Sequence, residues 1–480
     1  MMTPRSTAVL ELFEQINRIP RCSKHEREIG RWLLAWAQER GLAADQDRAG
    51  NVLIRVPATG GLESAPVVVL QGHMDMVCEK TPDSTHNFDT DPIPLVTEGE
   101  WLHAEDTTLG ADNGVAIALA LALAESDSPH PALEILITVD EETGLTGAQS
   151  LESGWLQGTQ LLNIDSEDEG VFTVGCAGGR DTIFSLPVER EEVPPGLVAR
   201  ELRVGGLQGG HSGMDIHLGR ANANQLLVRV LSRLREHGVR LASLTGGNAH
   251  NAIPRDSSAI IAIPEREAEA VSKAVSASRE TFRVEYGDTE PALDVTLRTG
   301  AEPTHLFEEA SAARLLDFLS AMPHGVLRMS SDVPGLVETS TNFATIRTKN
   351  DEVTVKTSQR SSFRSRIDEL SERLEALGRL VGATVSNESS YPPWEPHMES
   401  ELLGRAVEAY EAALGREPTV EVVHAGLECG VIGSKYPQMQ MISFGPTIQN
   451  PHSPDERLHL PSLEKTVRFL EALLSSYADA

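Results

Sequence analysis

The stretch Ile135-Leu136-Ile137-Thr138-Val139-Asp140-Glu141-Glu142 decides the fold, because an apolar run ends abruptly in three acidic residues. A short and almost wholly apolar run is typical of a strand covered on both faces, as in α/β proteins. Successive residues of extended chain point to opposite sides, so Glu141 and Glu142 face differently. One glutamate can hold a cation while its neighbour handles a water. Taken alone, however, an acidic pair before Gly144 is typical of an exposed turn.

Similar apolar segments alternate with helical patterns on both sides of this stretch. Residues 51–56, 67–70, 161–164 and 440–444 predict strands, and residues 115–125 predict a buried helix. Nearly all-apolar strands that alternate with helices indicate an α/β domain with a mixed, largely parallel sheet.

The character of the sequence changes near residue 187. A polar, proline-containing passage at 189–195 is followed by helices and strands in a repeated cadence. Residues 187–390 therefore predict an inserted α+β domain, built from a duplicated unit, and Tyr391-Pro392-Pro393-Trp394 reads as the return linker. The α/β domain is predicted to be discontinuous, with parts at 1–186 and 391–480.

Charge and composition exclude several classes of partner. Lys and Arg number 41 against 71 Asp and Glu, a net charge of −30, which repels nucleic-acid phosphate and anionic membranes. The longest apolar run, 115–124, is shorter than the roughly 20 residues that span a bilayer. The start shows no basic region followed by an apolar segment, so we expect a cytoplasmic protein.

The cysteines form no Cys-x-x-Cys pair, which argues against a zinc knuckle or a redox motif. In a chain of this size we expect free thiols in a reducing compartment. The four residues concerned are Cys22, Cys78, Cys176 and Cys429.

Single acidic residues and histidines follow the predicted strands. Each alone has an ordinary explanation: a hydrogen-bonded pair for His73 and Asp75, a helix N-cap for Asp112, an acidic turn for Asp165 and a loop histidine for His452. Together, one set follows predicted strands and gathers at one edge if the strands run parallel: His73, Glu141, Glu142, Asp165 and His452. Two histidines with three carboxylates suit zinc, manganese or cobalt, with enough ligands for two ions and one shared carboxylate. Asp75 is placed to orient His73.

Longer motifs are spread over nearly the whole chain. Their order along the sequence resembles that of the co-catalytic metallopeptidases, which include glutamate carboxypeptidase, aminoacylase and peptidase T. The similarity is greater to the aminoacyl-histidine dipeptidase branch, of carnosinase type. The stretches that carry the resemblance are 71–80, 107–114, 175–179, 209–213, 215–217, 219–224 and 426–430, together with Asp140-Glu141-Glu142-Thr143-Gly144, Asp165 and His452.

The resemblance implies a di-metal catalytic domain with an inserted lid. Two divalent ions, zinc first with manganese or cobalt as alternatives, would bind between the strands and loops of the catalytic domain. Asp112 would bridge the ions, and its peptide bond to the next residue would be cis. One ion would take His73 and Asp165, and the other would take Glu142 and His452.

The resemblance also implies roles in catalysis and substrate binding. Glu141 would act as the general base, and Asp75 would orient the first histidine. In the lid, His211 would stabilise the oxyanion, while Asn251 and Arg360 would bind the carboxylate at the substrate's C-terminus.

The predicted function is hydrolysis of dipeptides with a free amino end, in particular Xaa-His dipeptides such as β-Ala-His, by a homodimer. One alternative keeps the chemistry but takes N-acyl amino acids or tripeptides. Another is a non-catalytic metal-binding protein, against which Glu141 argues, because binding alone needs no base. Asp106 departs from the pattern, since the branch usually has glycine there. We therefore consider an effect of its added charge on metal or substrate preference.

Overall fold

The computed structural model describes residues 3–331 and 333–479. The chain divides into two compact units. The first unit comprises Met1–Cys176, Trp394–Val422 and Leu427–Ala480, and the second comprises Ala177–Pro393 and Val423–Gly426. Among the described residues, no helix is both long enough and apolar enough to cross a membrane.

The first part of the first unit contains four helices and eight strands. The helices are α1 (Pro4–Ile16), α2 (Arg27–Glu39), α3 (Ala111–Ala124) and α4 (Thr146–Ser150). The strands are β1 (Ala43–Gln46), β2 (Val52–Val56), β3 (Val68–His73), β4 (Leu95–Glu98), β5 (Trp101–Ala104), β6 (Leu133–Thr138), β7 (Gln160–Asn163) and β8 (Val171–Cys176).

The segment that follows belongs to the second unit. Its strands are β9 (Gly178–Pro187), β10 (Arg190–Glu192), β11 (Leu197–Gly205), β12 (Gly210–His211), β13 (Arg240–Gly246), β14 (Ala252–Ile253), β15 (Ser257–Pro264), β16 (Asp294–Thr299), β17 (His305–Phe307), β18 (Gly325–Met329), β19 (Val337–Lys349), β20 (Glu352–Ser361) and β21 (Thr384–Tyr391). Its α-helices are α5 (Ala223–Leu234), α6 (Ala268–Tyr286), α7 (Glu309–Ala321) and α8 (Arg364–Val381).

The chain ends with α9 (Glu401–Leu414), β22 (Thr419–Val423), α10 (Glu428–Lys435), β23 (Gln440–Ser443), β24 (Ile448–Gln449), β25 (Arg457–His459) and α11 (Leu460–Ser475). Short 3-10 helices occupy Ile216–Leu218, Arg235–His237, Glu265–Glu267 and Ser476–Asp479.

The large sheet of the first unit has the order β1-β2-β6-β3-β7-β23-β8-β22. Its centre is parallel, because β6, β3, β7 and β23 pair in the same direction. β1 pairs antiparallel with β2, β2 with β6, and β8 with β23. The prediction of an α/β fold with a mixed, largely parallel sheet is therefore confirmed. Buried apolar residues fill β3, β6 and α3, as burial on both faces of a central strand requires.

The second unit is built on a nine-stranded sheet in which β18 joins the path β16-β11-β15-β13-β19-β20-β9-β21 through β19. Its core lies between this sheet and helices α5 to α8 and includes Phe184, Phe282 and Phe318. The α+β composition follows the prediction for this segment, and its origin by duplication stays a prediction.

The second unit begins earlier than the predicted residue 187. β9 pairs with both β20 and β21, so the chain enters this sheet directly after Cys176. The segment Val423–Gly426 also belongs to it, and the backbone N–H of Ala177 donates to the Val423 carbonyl. A segment belongs to the unit whose strands it pairs with, so the polar passage at 189–195 does not mark the start of the second unit.

The expectation that all four cysteines are free is wrong for Cys22 and Cys78, which form a disulfide. The two residues are 56 positions apart in sequence, with Cα atoms 5.7 Å apart. A backbone bridge between Cys22 and Met76 brings them together, and such a tertiary contact leaves no sign in the spacing of the cysteines. Cys176 and Cys429 are buried.

Candidate active site

The predicted ligands stand at one edge of the large sheet in the first unit. β3 ends at His73, which pairs in register with Thr138, the last residue of β6. β7 ends at Asn163, two residues before Asp165, and it pairs in parallel with both β3 and β23. The carboxyl ends of these parallel strands therefore carry the candidate ligands to a common edge, where ligands bind in open α/β sheets.

Asp112 lies between the two histidines. Its Oδ1 is 3.1 Å from Nε2 of His73, and its Oδ2 is 3.0 Å from Nε2 of His452. The Asp112–Asn113 peptide bond is cis, and the backbone of both residues departs from helical angles inside α3. Each oxygen of this carboxylate thus faces a different ring, as a carboxylate shared by two ions would.

Each histidine also faces a second carboxylate. Oδ1 of Asp165 is 3.4 Å from Nε2 of His73, and Oε2 of Glu142 is 3.0 Å from Nε2 of His452. The other oxygen of Glu142, Oε1, is buried and has no hydrogen-bond partner among the described residues. Ligand atoms of His73, Asp112 and Glu142 all lie within 4.8 Å of one another. This set of imidazole nitrogens and carboxylate oxygens, with one buried oxygen left unpaired, fits two divalent ions that share Asp112.

The electrostatics of these groups favour added positive charge. Hydrogen bonds to Asp112 and Glu142 raise the pKa of His452 to about 11. Burial opposes the charged form of His73, but the nearby carboxylates, Asp165 first, outweigh it and raise the pKa of this ring well above its usual value. Burial raises the pKa of Asp165 itself to about 6. These raised pKa values mean that the cluster of carboxylates favours nearby positive charge. A bound divalent cation would supply that positive charge in place of the protons.

Asp75 organises the turn that carries both glutamates. Its Oδ1 is 3.2 Å from Nδ1 of His73 and accepts a hydrogen bond from the backbone N–H of Glu141. Its Oδ2 accepts hydrogen bonds from the backbone N–H of Glu142 and from the Ser23 hydroxyl. These partners outweigh burial and lower the pKa of Asp75. One ionised side chain therefore fixes the His73 ring and the Glu141–Glu142 backbone together.

The Glu141 carboxylate differs from its neighbour, because it makes no hydrogen bond or ion pair within the described part of the chain. Burial raises the pKa of Glu141 well above its usual value, and the charges of Asp165, Glu428 and Glu142 add to the effect. A carboxylate whose pKa is raised, and which is not held by a cation, has the properties of a general base.

In the second unit, the structure brings two of the three predicted residues together. An added Cβ on Gly213 would lie 3.1 Å from Cε1 of His211 and 3.3 Å from Nε of Arg360. Nδ1 of His211 accepts hydrogen bonds from the backbone N–H groups of Gly213 and Met214, so the neutral ring carries its hydrogen on Nε2. Burial, with the charge of Arg360, lowers the pKa of His211 to about 4.

Arg360 is buried, with 7% of its surface exposed, and no carboxylate pairs with it among the described residues. Its Nη1 donates to the Tyr391 hydroxyl, while its Nε has no partner. Asn251 is different, because its side chain is exposed and its backbone carbonyl accepts from Ser212 N–H. Within the described residues, Asn251 thus contacts the His211 loop through its backbone and makes no side-chain hydrogen bond to Arg360.

Four buried polar side chains were missed by sequence reasoning. Glu428 accepts hydrogen bonds from Gln71 and Thr138, and burial raises its pKa to about 7. Its position inside the motif at 426–430 is a signal that could have found it. The other three, each separated in sequence from its partners, are Arg21, His424 and Glu456.

Comparisons with known proteins agree with this architecture. The sequence profile described as Peptidase family M20/M25/M40 matches residues 69–476. The cytosol non-specific dipeptidase of Escherichia coli (strain K12) is 40% identical over 466 residues, which cover 97% of this chain and 96% of that protein.

Solved structures give the same result. The crystal structure of aminoacylhistidine dipeptidase from Vibrio alginolyticus is similar with a TM-score of 0.90 at 40% identity, covering 99% of this chain and 97% of that one. A tripeptidase from Staphylococcus aureus, 16% identical with a TM-score of 0.59 over 100% of both chains, shares the fold. The chain therefore belongs to peptidase family M20/M25/M40, and it is a peptide hydrolase of that family.

Proposed function

We propose that this protein is a di-metal dipeptidase that hydrolyses dipeptides with a free amino end. The observation that carries the proposal is the pair of carboxylate–histidine contacts on opposite oxygens of Asp112, beside a half-buried Glu141 whose carboxylate has no partner among the described residues. One ion would be held by His73, Asp165 and Asp112, and the other by His452, Glu142 and Asp112. Bound there, divalent ions supply Lewis acidity that polarises the scissile carbonyl and makes water easier to deprotonate.

Glu141 moves the proton in this proposal. Its carboxylate accepts a proton from the attacking water and then delivers it to the nitrogen of the leaving amine. Its raised pKa supports the first step, because a carboxylate with a higher pKa is a stronger base toward the water proton. Asp75 keeps the Glu141 backbone in place through the hydrogen bond to its N–H.

Residues of the second unit are proposed to bind the substrate. His211 has a hydrogen on Nε2, and its lowered pKa keeps it neutral, so it suits donation to the oxyanion of the tetrahedral intermediate. The buried guanidinium of Arg360 without a carboxylate partner suits the C-terminal carboxylate of a peptide. Asn251 is proposed as a second, weaker contact to that carboxylate.

The substrate class is drawn from the two relatives at 40% identity. The Vibrio protein is named for aminoacylhistidine substrates, which supports Xaa-His dipeptides such as β-Ala-His. The Escherichia coli protein is named as non-specific, which supports a wider range of dipeptides. A panel of Xaa-His and other dipeptides, tripeptides and N-acyl amino acids, assayed with zinc, manganese and cobalt, separates these preferences. Higher activity on N-acyl amino acids than on any dipeptide would contradict the proposal.

The decisive test is Glu141→Gln, which keeps the size of the side chain and removes the base. We expect the variant to bind two ions per chain, while kcat on β-Ala-His falls roughly 10²–10⁴-fold. The matched control is Glu152→Gln, since Glu152 is an exposed glutamate of the same unit. Parent-level turnover by the Glu141 variant would refute the assigned mechanism, and a parent enzyme that binds no ions after reconstitution would refute the function.

We also propose a cytoplasmic location and a homodimer. The name of the Escherichia coli relative supports the first. The Cys22–Cys78 disulfide counts against it, because disulfides are rare in reducing compartments. Alkylation of the protein directly in lysed cells, followed by a thiol count, tests the location, and sedimentation velocity tests the dimer.

A further inference from the structure

We infer that Glu456 is a positioning residue that sets the distance between the two metal sites, by holding the Asp112 loop against the loop of His452. The inference rests on the proposed function, since it concerns the same two ions. Glu456 itself is not one of the proposed ligands, and it is buried with only 2% of its surface exposed.

The Glu456 carboxylate binds the backbone that precedes α3. Its Oε2 accepts hydrogen bonds from the N–H groups of Leu109 and Gly110, at 2.8 and 2.9 Å. Its Oε1 accepts from those of Ala111 and Asp112, at 2.8 and 3.2 Å. Four consecutive amides therefore donate to one carboxyl group, and the last of them belongs to the proposed bridging residue. Charge-assisted hydrogen bonds of this kind are stronger than neutral ones.

A buried cation holds the same loop from its carbonyl side. Arg21 donates from Nη2 to the Gly110 carbonyl at 2.5 Å and from Nη1 to the Asp75 carbonyl at 3.1 Å. The N–H groups of the loop thus bind Glu456, and the Gly110 carbonyl of the same loop binds Arg21. Because Arg21 also binds the segment just after His73, the loop is tied to the first histidine as well.

His452 needs such an anchor more than His73 does. His73 is 1% exposed, ends a central strand and is oriented by Asp75, whereas the His452 side chain is 49% exposed. His452 also has φ +59°, in the left-handed region that non-glycine residues seldom occupy. The N–H of Glu456 donates to the Ser453 carbonyl and closes a turn that begins directly after His452. Through this turn, the Glu456 carboxylate connects His452 to the backbone of Asp112.

Replacing the carboxylate should therefore weaken the second ion more than the first. In Glu456→Gln, the amide NH₂ would face two of the four backbone N–H groups, which removes one acceptor atom, and with it two hydrogen bonds, and adds a repulsive contact. Changes to residues that orient metal ligands typically lower metal affinity roughly 10- to 100-fold. We expect a loss of that size at the weaker of the two sites, with the affinity of the tighter site within about threefold of the parent.

The matched control is Glu134→Gln. Glu134 is equally buried and also accepts two backbone N–H groups, from Gln157 and Gly158, at 2.8 and 3.0 Å. It lies near the start of β6, whereas the ligand-bearing turn follows the end of that strand. Its replacement should lower the stability of the fold and leave both metal affinities unchanged.

The experiment is calorimetric titration of Zn²⁺ into the metal-free full chain of the parent, E456Q, E456D and E134Q, with thermal unfolding recorded for each. E456D keeps the charge on a shorter side chain, so we expect an intermediate loss of Zn²⁺ affinity at the weaker site. If E456Q does not fold, the affinities of E456D test the inference. Activity of E456Q should return as free Zn²⁺ is raised. Two sites of parent affinity in E456Q and E456D, or an equal loss in E134Q, would overturn the inference. A parent that binds fewer than two ions would instead contradict the proposed function.

Discussion

Glu141 and Glu142 are adjacent in sequence but differ in their surroundings, and the difference begins at the residue before them. Asp140 has φ +48°, so the chain turns sharply as β6 ends. The two following N–H groups then reach different oxygens of Asp75. This geometry directs Glu142 to His452 and leaves the Glu141 carboxylate without a partner among the described residues. The proposed division between holding an ion and moving a proton therefore follows from a turn rather than from the glutamates themselves.

Asp106, the residue that departs from the pattern of similar sequences, also has a backbone explanation. Its φ is +61°, a conformation that glycine adopts freely and that aspartate tolerates better than most residues. This turn thus accounts for the glycine that the resemblance implies at position 106. An effect of the Asp106 charge on metal or substrate preference stays a prediction, and an Asp106→Gly variant with unchanged profiles would dispose of it.

His424 makes the stability of the second unit sensitive to acid. Its Nε2 is 2.8 Å from the Ser340 hydroxyl and its Nδ1 is buried without a partner, so burial, with the charges of Arg360 and His211, lowers its pKa to about 3. Above pH 6.5 both folded and unfolded chains hold this ring neutral. Below it, the unfolded chain takes up a proton that the folded chain does not, so stability falls as the pH drops toward 3.

We expect this one histidine to remove about 3 kcal/mol of unfolding free energy between pH 7 and pH 4.5. His424→Asn removes the titration and keeps a polar group beside Ser340. Urea denaturation of both proteins at both pH values isolates the effect, since other acid-sensitive groups are common to them. At pH 7 the variant should have a lower unfolding free energy than the parent, and this difference should be smaller by about 3 kcal/mol at pH 4.5. A constant difference between the two proteins would contradict the pKa assigned to His424.

At the scale of elements, close contact between β3 and α3 places Asp112 beside His73. An added Cβ on Gly72 would lie 2.3 Å from Oδ1 of Asn113 and 2.8 Å from the Ala116 Cβ. The same Asn113 oxygen accepts the N–H of His73. The absence of a side chain at Gly72 thus lets the helix that carries Asp112 pack directly on the strand that carries His73.

Gly72→Ala should therefore push α3 away from β3. We expect a loss of about 1–3 kcal/mol in unfolding free energy, as for other overpacked cores, together with weaker metal binding. Gly404→Ala is the matched control, because Gly404 lies in α9 of the same unit with no atom within 4 Å of its added Cβ. That change should raise stability by about 0.5–1 kcal/mol, since alanine favours helix. Thermal unfolding of the two variants would contradict the packing argument if both gained stability.

The element scale also shows what the sequence could predict. Apolar strands such as β3, β6 and β7 were predicted within a few residues, because burial on both faces demands an unbroken apolar run. The acidic and histidine positions after them followed from the same reasoning. The cap of α3 could not be predicted in this way. An aspartate before a helix is typically its N-cap, but the N–H groups at the start of α3 bind Glu456, which is 344 residues away from Asp112. Pairings of this kind, like the Cys22–Cys78 disulfide, arise only when distant segments meet.

At the scale of the whole molecule, negative charge is abundant, but the acidic residues proposed to bind metal are confined to one unit. The net charge of −30 is spread over the chain, but all of the proposed metal ligands lie in the first unit. There, the carboxylates of Glu141, Asp165 and Glu428 have pKa values that are raised by loss of solvent and by neighbouring negative charge. Two bound divalent ions would offset this repulsion, so metal binding and the stability of the first unit should be coupled.

Removal of the metals should therefore loosen the first unit selectively. A ligand that binds only the folded chain adds about 2.7 kcal/mol at a hundredfold excess over its dissociation constant, and a chelator removes that contribution. Hydrogen–deuterium exchange with and without chelator should show faster exchange in the segments around Asp112, Glu142 and His452. Peptides from the second unit's β19 and β20 should be unaffected, because that unit holds none of the ligands. A His452→Ala variant is the control, since losing one ion beforehand should reduce the effect of the chelator. Equal acceleration in both units would show that the ions do not stabilise the first unit in particular, and that the carboxylates there are satisfied by protons instead.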